Sequence, residues 1–176
     1  MKWLNRLSIL ISAVCLFGSC EKNDDDIIWD FPCYSASIYP VDVKTGISLL
    51  DPEYSDSAFE QNINVEYNGK IYPVTLDSRA NIPMPLALRH KDYDWYWNNE
   101  KNCAEWVTSH HLEFGEFSPS MDYHGEEFTI HWGDGTSNKV RFDCYIVWRS
   151  KTKPKVVNAL WLDGVLQDDW AFTIRK

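Results

Sequence analysis

Phe128-Thr-Ile-His-Trp132-Gly-Asp-Gly-Thr136-Ser-Asn-Lys-Val140-Arg-Phe-Asp-Cys-Tyr-Ile-Val-Trp148 is two alternating runs joined by a turn. Phe128, Ile130 and Trp132 alternate with Thr129 and His131. Val140, Phe142, Cys144, Ile146 and Trp148 alternate with Arg141, Asp143 and Tyr145. A period of two puts one set on a buried face and the other toward water, the pattern of half-buried antiparallel strands. The glycines at 133 and 135 supply the turn between them.

Two more hairpins have the same logic. Ile63-Asn-Val-Glu-Tyr-Asn68-Gly69-Lys-Ile-Tyr-Pro-Val-Thr-Leu76 holds an Asn-Gly pair, which permits the positive φ angles of a type I′ turn. A two-residue loop there pairs Tyr67 with Lys70. Ile63, Val65 and Tyr67 then share a face with Tyr72, Val74 and Leu76. Pro73 lacks an N–H, which suits an edge strand. Ala159-Leu-Trp-Leu-Asp163-Gly164-Val-Leu166 is the third hairpin. A last strand follows, with Trp170, Phe172 and Ile174 alternating with Ala171, Thr173 and Arg175. Helical signals are confined to a short helix at 99–107 and a single turn at 55–60. The expected class is all-β, a β-sandwich with at most one or two short helices.

Lys2 and Arg6 precede an uncharged run from Leu7 to Phe17, and Gly18-Ser19 lead into Cys20. Charged start, apolar run and small residues form the order of a secretory signal. The run is shorter than the roughly 20 residues that span a bilayer. Leu16-Phe17-Gly18-Ser19-Cys20 resembles the lipobox of bacterial lipoproteins, with Phe17 departing from the usual leucine. Cys15 is the competing anchor, but Ser12-Ala13-Val14 before it fits poorly. The resemblance implies a signal peptide at 1–19, cut before a lipidated Cys20. Acyl chains hold a protein on a membrane because each buried methylene contributes about 0.8 kcal/mol.

Glu21-Lys22-Asn23-Asp24-Asp25-Asp26 is a solvated, self-repelling spacer over 20–26. It resembles the acidic run behind the lipidated cysteine of Bacteroidetes-type lipoproteins. That implies the outer leaflet of an outer membrane, facing the cell surface. Pro40-Val-Asp-Val-Lys-Thr-Gly-Ile-Ser-Leu-Leu-Asp-Pro52, with the later Asn-Gly and Asp-Gly hairpins, is similar to an uncharacterised lipoprotein family of those bacteria. The Trp132-Gly-Asp-Gly-Thr136 turn also resembles that of PKD-type Ig-like domains. These resemblances imply an Ig-like antiparallel sandwich over residues 27–176, one domain, with no assigned activity.

The chain carries 17 Lys and Arg against 26 Asp and Glu. Loss of Lys2 and Arg6 with the signal leaves 15 against 26, a net charge of −11. A surface this acidic argues against nucleic acid, which needs clustered basic residues. Once Cys15 is removed and Cys20 acylated, Cys33, Cys103 and Cys144 remain. Export permits a disulfide. Cys103–Cys144 is the preferred pair, leaving Cys33 as a buried free thiol, and a fully reduced set is the alternative.

The densest polar-aromatic stretch is His90-Lys-Asp-Tyr-Asp-Trp-Tyr-Trp-Asn-Asn-Glu100. Flat rings beside carboxylates and amides are what a sugar ring needs, since its C–H face stacks and its hydroxyls take directional hydrogen bonds. Tyr93, Trp95, Tyr96 and Trp97 would supply the platform, with Asp92, Asp94 and Asn98 as polar partners. The competing reading turns alternate rings into the core. His110, His111, His124, His131 and Glu113 lack metal-site spacing, and adjacent histidines in a strand point to opposite faces. Asp134 alone lacks the oxygens that calcium needs. No metal, cofactor or catalytic residue is assigned. The G-x-S-x-G motif is absent, as is a Cys-His nucleophile context. The expected function is a non-catalytic binding or accessory module for a glycan or an envelope protein. A structural, adhesin-like assembly component is the alternative, and a hydrolase the remaining one.

Overall fold

The computed structural model describes residues 29–54, 57–76, 86–150 and 152–176. The signal peptide, Cys20 and the acidic spacer lie outside the described residues. Ten strands follow in chain order: β1 Tyr34–Val41, β2 Asn64–Tyr67, β3 Lys70–Leu76, β4 Ala87–Asn98, β5 Cys103–Phe117, β6 Tyr123–His131, β7 Ser137–Trp148, β8 Pro154–Leu162, β9 Val165–Leu166 and β10 Ala171–Arg175. Among the described residues, one short helix, α1, spans Ser57–Gln61, and a 3-10 turn spans Pro119–Met121. Among the described residues, no helix is long and apolar enough to cross a membrane.

The all-β class is therefore correct. The strands form one ten-stranded sheet in the order β10-β1-β5-β4-β3-β2-β6-β7-β8-β9. Pairing is mostly antiparallel, but β1 pairs parallel with β10 and β3 pairs parallel with β4. β1 and β10 are far apart in sequence, and β3 and β4 are consecutive but not joined by a tight hairpin, so no local turn signals either pairing. The sheet curls over into a half-barrel. Phe114 on β5 meets Phe128 on β6 at a centroid distance of 4.9 Å, and Phe117 meets Phe142 on β7 at 4.3 Å. Three strands separate β5 from β6 in the sheet, so these rings meet only because the sheet folds back.

The curl passes through β3. Residues 70–73 of β3 pair with β2, and Val74, Thr75 and Leu76 pair with β4. Pro73 is thus not on an edge strand. It sits where β3 exchanges one partner for the other, a place where its missing N–H breaks no continuous ladder. The Asn68-Gly69 turn has φ of 51° and 73°, as a type I′ turn requires, and Tyr67 pairs with Lys70.

The β6–β7 hairpin forms as its alternation demands. Phe128, Ile130, Trp132, Val140, Phe142 and Cys144 are buried. Trp132 keeps its polar atom satisfied, donating Nε1–H to Asn138 Oδ1 at 2.7 Å. The alternation overreaches at the far end of β7, where Ile146 is half-buried and Trp148 exposed. There β7 runs past the core, and Trp148 meets the edge of Trp29 at 6.2 Å. Gly133 in the connecting loop has φ 78°, and a Cβ there would lie 2.3 Å from Asn62 Cβ. Gly133→Ala is expected to destabilise the domain by about 2 kcal/mol, read as a shift in urea midpoint.

Three further expectations fail. Residues 99–107 are not helical: Asn99–Asn102 turn between β4 and β5, and Cys103–Val107 continue as strand. The long ladder of β4 against β5 outweighs the helix preference of Lys101, Ala104 and Glu105. The Cys103–Cys144 bridge is absent, and all three thiols are free. Cys103 is exposed beside the β4–β5 turn, whereas Cys144 is buried, its thiol donating to the Phe117 carbonyl at 3.6 Å. Burial, with Cys33 nearby, pushes the Cys144 thiol up to about 11. Cys33 is exposed rather than buried, because it precedes β1 and lies outside the core.

Candidate functional site

The outer halves of β4 and β5 form a two-stranded arm. Opposed pairs run Tyr93–Thr108, Asp94–Val107, Trp95–Trp106, Tyr96–Glu105, Trp97–Ala104 and Asn98–Cys103. Directly opposed residues share a face and neighbours along a strand alternate. One face of the arm therefore carries Tyr93, Trp95, Trp97 and Trp106. The other carries Asp94, Tyr96, Asn98, Glu105 and Val107.

None of these rings enters the core. Tyr93, Trp95, Tyr96, Trp97 and Trp106 are between 48 and 73 % exposed. The arm thus separates chemistry by face: rings on one side and a braced polar set on the other. Glu105 is the centre of that set. It accepts from Tyr96 Oη at 2.7 Å, from Asn98 Nδ2 at 3.0 Å and from Lys101 Nζ at 2.6 Å. These bonds, Lys101's first, hold its carboxyl below the usual range. Asn98 Oδ1 also accepts the backbone N–H groups of Glu100 and Lys101, which closes the turn. Asp94 is taken up at the arm's inner end, where Oδ2 accepts from Tyr39 Oη at 3.0 Å.

The expected platform is thus assembled in part. Tyr93, Trp95 and Trp97 stand together, while Tyr96 faces the opposite way with Asp94 and Asn98. Asp92 leaves the arm's polar set and lies at its root beside His110, 3.2 Å from Nδ1. Trp106 is the residue that sequence reasoning missed. Its signal was its register, opposite Trp95 across a four-residue turn, which is visible only once 103–107 is read as strand.

The histidines of the candidate metal set disperse. His110 and His111 do part to opposite faces: His111 stacks on Tyr39 at 4.9 Å, and His110 reaches Asp92. His124 pairs with Asp122, His131 with Glu66, and Glu113 with Arg89. Asp134 braces its own turn, accepting from Thr136 N–H and from Lys176 Nζ, each at 2.8 Å.

Burial lowers the His111 pKa below 6.5. The folded chain therefore keeps this imidazole neutral while the unfolded chain takes up a proton. The contribution is complete above about pH 6.5 and is lost as pH falls toward the depressed folded value. The melting temperature is expected to fall between pH 7 and pH 5, and His111→Gln to flatten part of that slope. An equal slope in both proteins would contradict it. Comparison of the chain with protein-family models, with curated proteins and with solved structures gives no match.

Proposed function

We propose that this chain is a non-catalytic binding module of a surface-facing, lipid-anchored envelope protein, with the β4–β5 arm as its ligand-binding element. One observation carries the reading: Tyr93, Trp95, Trp97 and Trp106 stand exposed on one face of a projecting hairpin. Large rings left in water by a single-chain fold mark a contact surface. Aromatic anchors with few rotatable bonds lose little entropy on docking. The ligand is a glycan, stacked on the ring face, or an envelope protein that covers it. Anchoring through Cys20 in an outer membrane is part of the proposal, supported by the lipobox-like Leu16–Cys20 and the acidic run behind it. An Ig-like sandwich topology also belongs here, supported by the two facing halves of the curled sheet.

The test is a glycan array and an envelope-fraction pull-down with the full chain in detergent, read together with tryptophan emission. Retention of one glycan class or one envelope protein, with a change in emission, is the expected result. Binding to neither refutes the reading. A structural, adhesin-like role is favoured by one feature only. The sheet is open, and its edge strand β9 leaves Val165 and Leu166 exposed, so a donated strand could pair there. A stoichiometric partner lost on Val165→Pro would select that role.

A further inference from the structure

We propose that His90, Asp92 and His110 form a binding site for a divalent transition-metal ion at the root of the aromatic arm. The three side chains each offer one ligand atom, and these atoms lie within 4.8 Å of one another. His90 Nε2 is 3.5 Å from Asp92 Oδ1, and His110 Nδ1 is 3.2 Å from the same oxygen. Ligands about 2.0–2.1 Å from a tetrahedral zinc ion stand about 3.4 Å apart. Both measured edges match that separation without a change of backbone.

An independent observation points the same way. His90 is 8 % exposed, and its Nε2 is buried with no hydrogen-bond partner. Asp92 Oδ1 approaches to 3.5 Å but is not aligned as a hydrogen bond. Buried polar nitrogens are almost always satisfied, so an orphaned one aimed at a histidine and a carboxylate needs an occupant. The other ring nitrogen explains which atom is offered. His90 Nδ1 lies 2.8 Å from Glu60 Oε1 on α1. The carboxylate accepts the Nδ1–H, which leaves the lone pair on Nε2. A carboxylate behind a histidine in this way is the usual outer shell of a metal ligand, fixing its tautomer and raising its basicity.

The fold explains why these residues meet. The pairing of β4 with β5 shifts register between Lys91 and Tyr93, where β5 carries an extra residue. Such a bulge re-aims side chains. Just before it, the pairing of Lys91 with His111 sets His110 across from Asp92, on the face of β4 that also carries His90, at the point where the arm leaves the core. Two imidazoles and one carboxylate suit zinc and its first-row neighbours rather than calcium or magnesium, which prefer all-oxygen shells. The site stands apart from the aromatic face, so it does not depend on the proposed ligand.

The test uses the full chain without a histidine tag, its exposed thiols alkylated, titrated with Zn2+ and separately with Co2+ and Ca2+. Uptake of one Zn2+ per chain, a rise in melting temperature and visible Co2+ ligand-field bands without thiolate charge transfer are expected. Ca2+ should give no effect. Asp92→Asn, at a half-exposed side chain whose loss leaves the core intact, and His110→Ala should each weaken Zn2+ binding at least tenfold. Glu60→Gln should weaken it about tenfold through His90, keeping the stoichiometry. His124→Gln and His131→Gln should bind as the parent does. No Zn2+ uptake, or equal affinity in Asp92→Asn and the parent, overturns the proposal.

Discussion

Phe142→Ala is expected to cost about 4 kcal/mol of folding free energy, within the range of about 3–5 kcal/mol for a buried phenylalanine truncated to alanine. The ring is fully buried and touches five others. Tyr67 comes from β2, Phe117 from the end of β5, Tyr123 and Phe128 from β6, and Trp170 from the segment before β10. Their centroids lie 4.3 to 6.3 Å away, several edge-on or tilted, the arrangement in which ring pairs add to simple burial. β5 and β10 are far from β7 in the sheet, so Phe142 is where the curl closes. Alanine would leave a ring-sized void that strands held by their own ladders cannot collapse to fill. A natural domain has about 5–15 kcal/mol in total, so the variant should retain only marginal stability. Urea denaturation should show a lower midpoint with an unchanged slope. A change below about 2 kcal/mol would mean that the two halves of the sheet are not held together at this ring.

The parts of this fold that were readable in the sequence are those set by neighbours along the chain. Asn68-Gly69 and Asp163-Gly164 fix their turns through positive φ angles that few residues tolerate. Phe128 to Val140 reads as a hairpin because one face is dry and one wet. The aromatic stretch stands out locally, but its exposure was not readable there, because it depends on the arm having no opposing layer for the rings to enter. What was not readable depends on distant pairing. Pro73 reads as an edge residue until β3 is seen to exchange β2 for β4. Lys101 to Val107 contains good helix formers, and only the ladder with β4 makes Cys103 to Val107 strand. The His90–Asp92–His110 cluster joins two strands across the intervening turn, and it is visible only once the register of β4 against β5 is known.

The ring face leads to the second large expected effect, on binding rather than folding. Trp95→Ala combined with Trp106→Ala should weaken ligand binding on the order of 100-fold or more. Tryptophans at the centre of a contact each cost about 2 kcal/mol or more when truncated, and 1.4 kcal/mol is a factor of ten. The same pair should hardly alter folding. Both rings are exposed, and a cross-strand pair contributes only about 0.2–1 kcal/mol. That contrast is what makes the variant informative, since a protein that melts like its parent but no longer binds has lost a surface and not a fold. Tyr96→Phe supplies the opposing control. It removes the hydroxyl that donates to Glu105 on the other face, and binding should be unchanged. If Tyr96→Phe weakens binding as much as the tryptophan pair, recognition runs through the polar face and the rings are cover. If only the tryptophan pair does, the alternation that separates the two faces of the arm also separates contact from support.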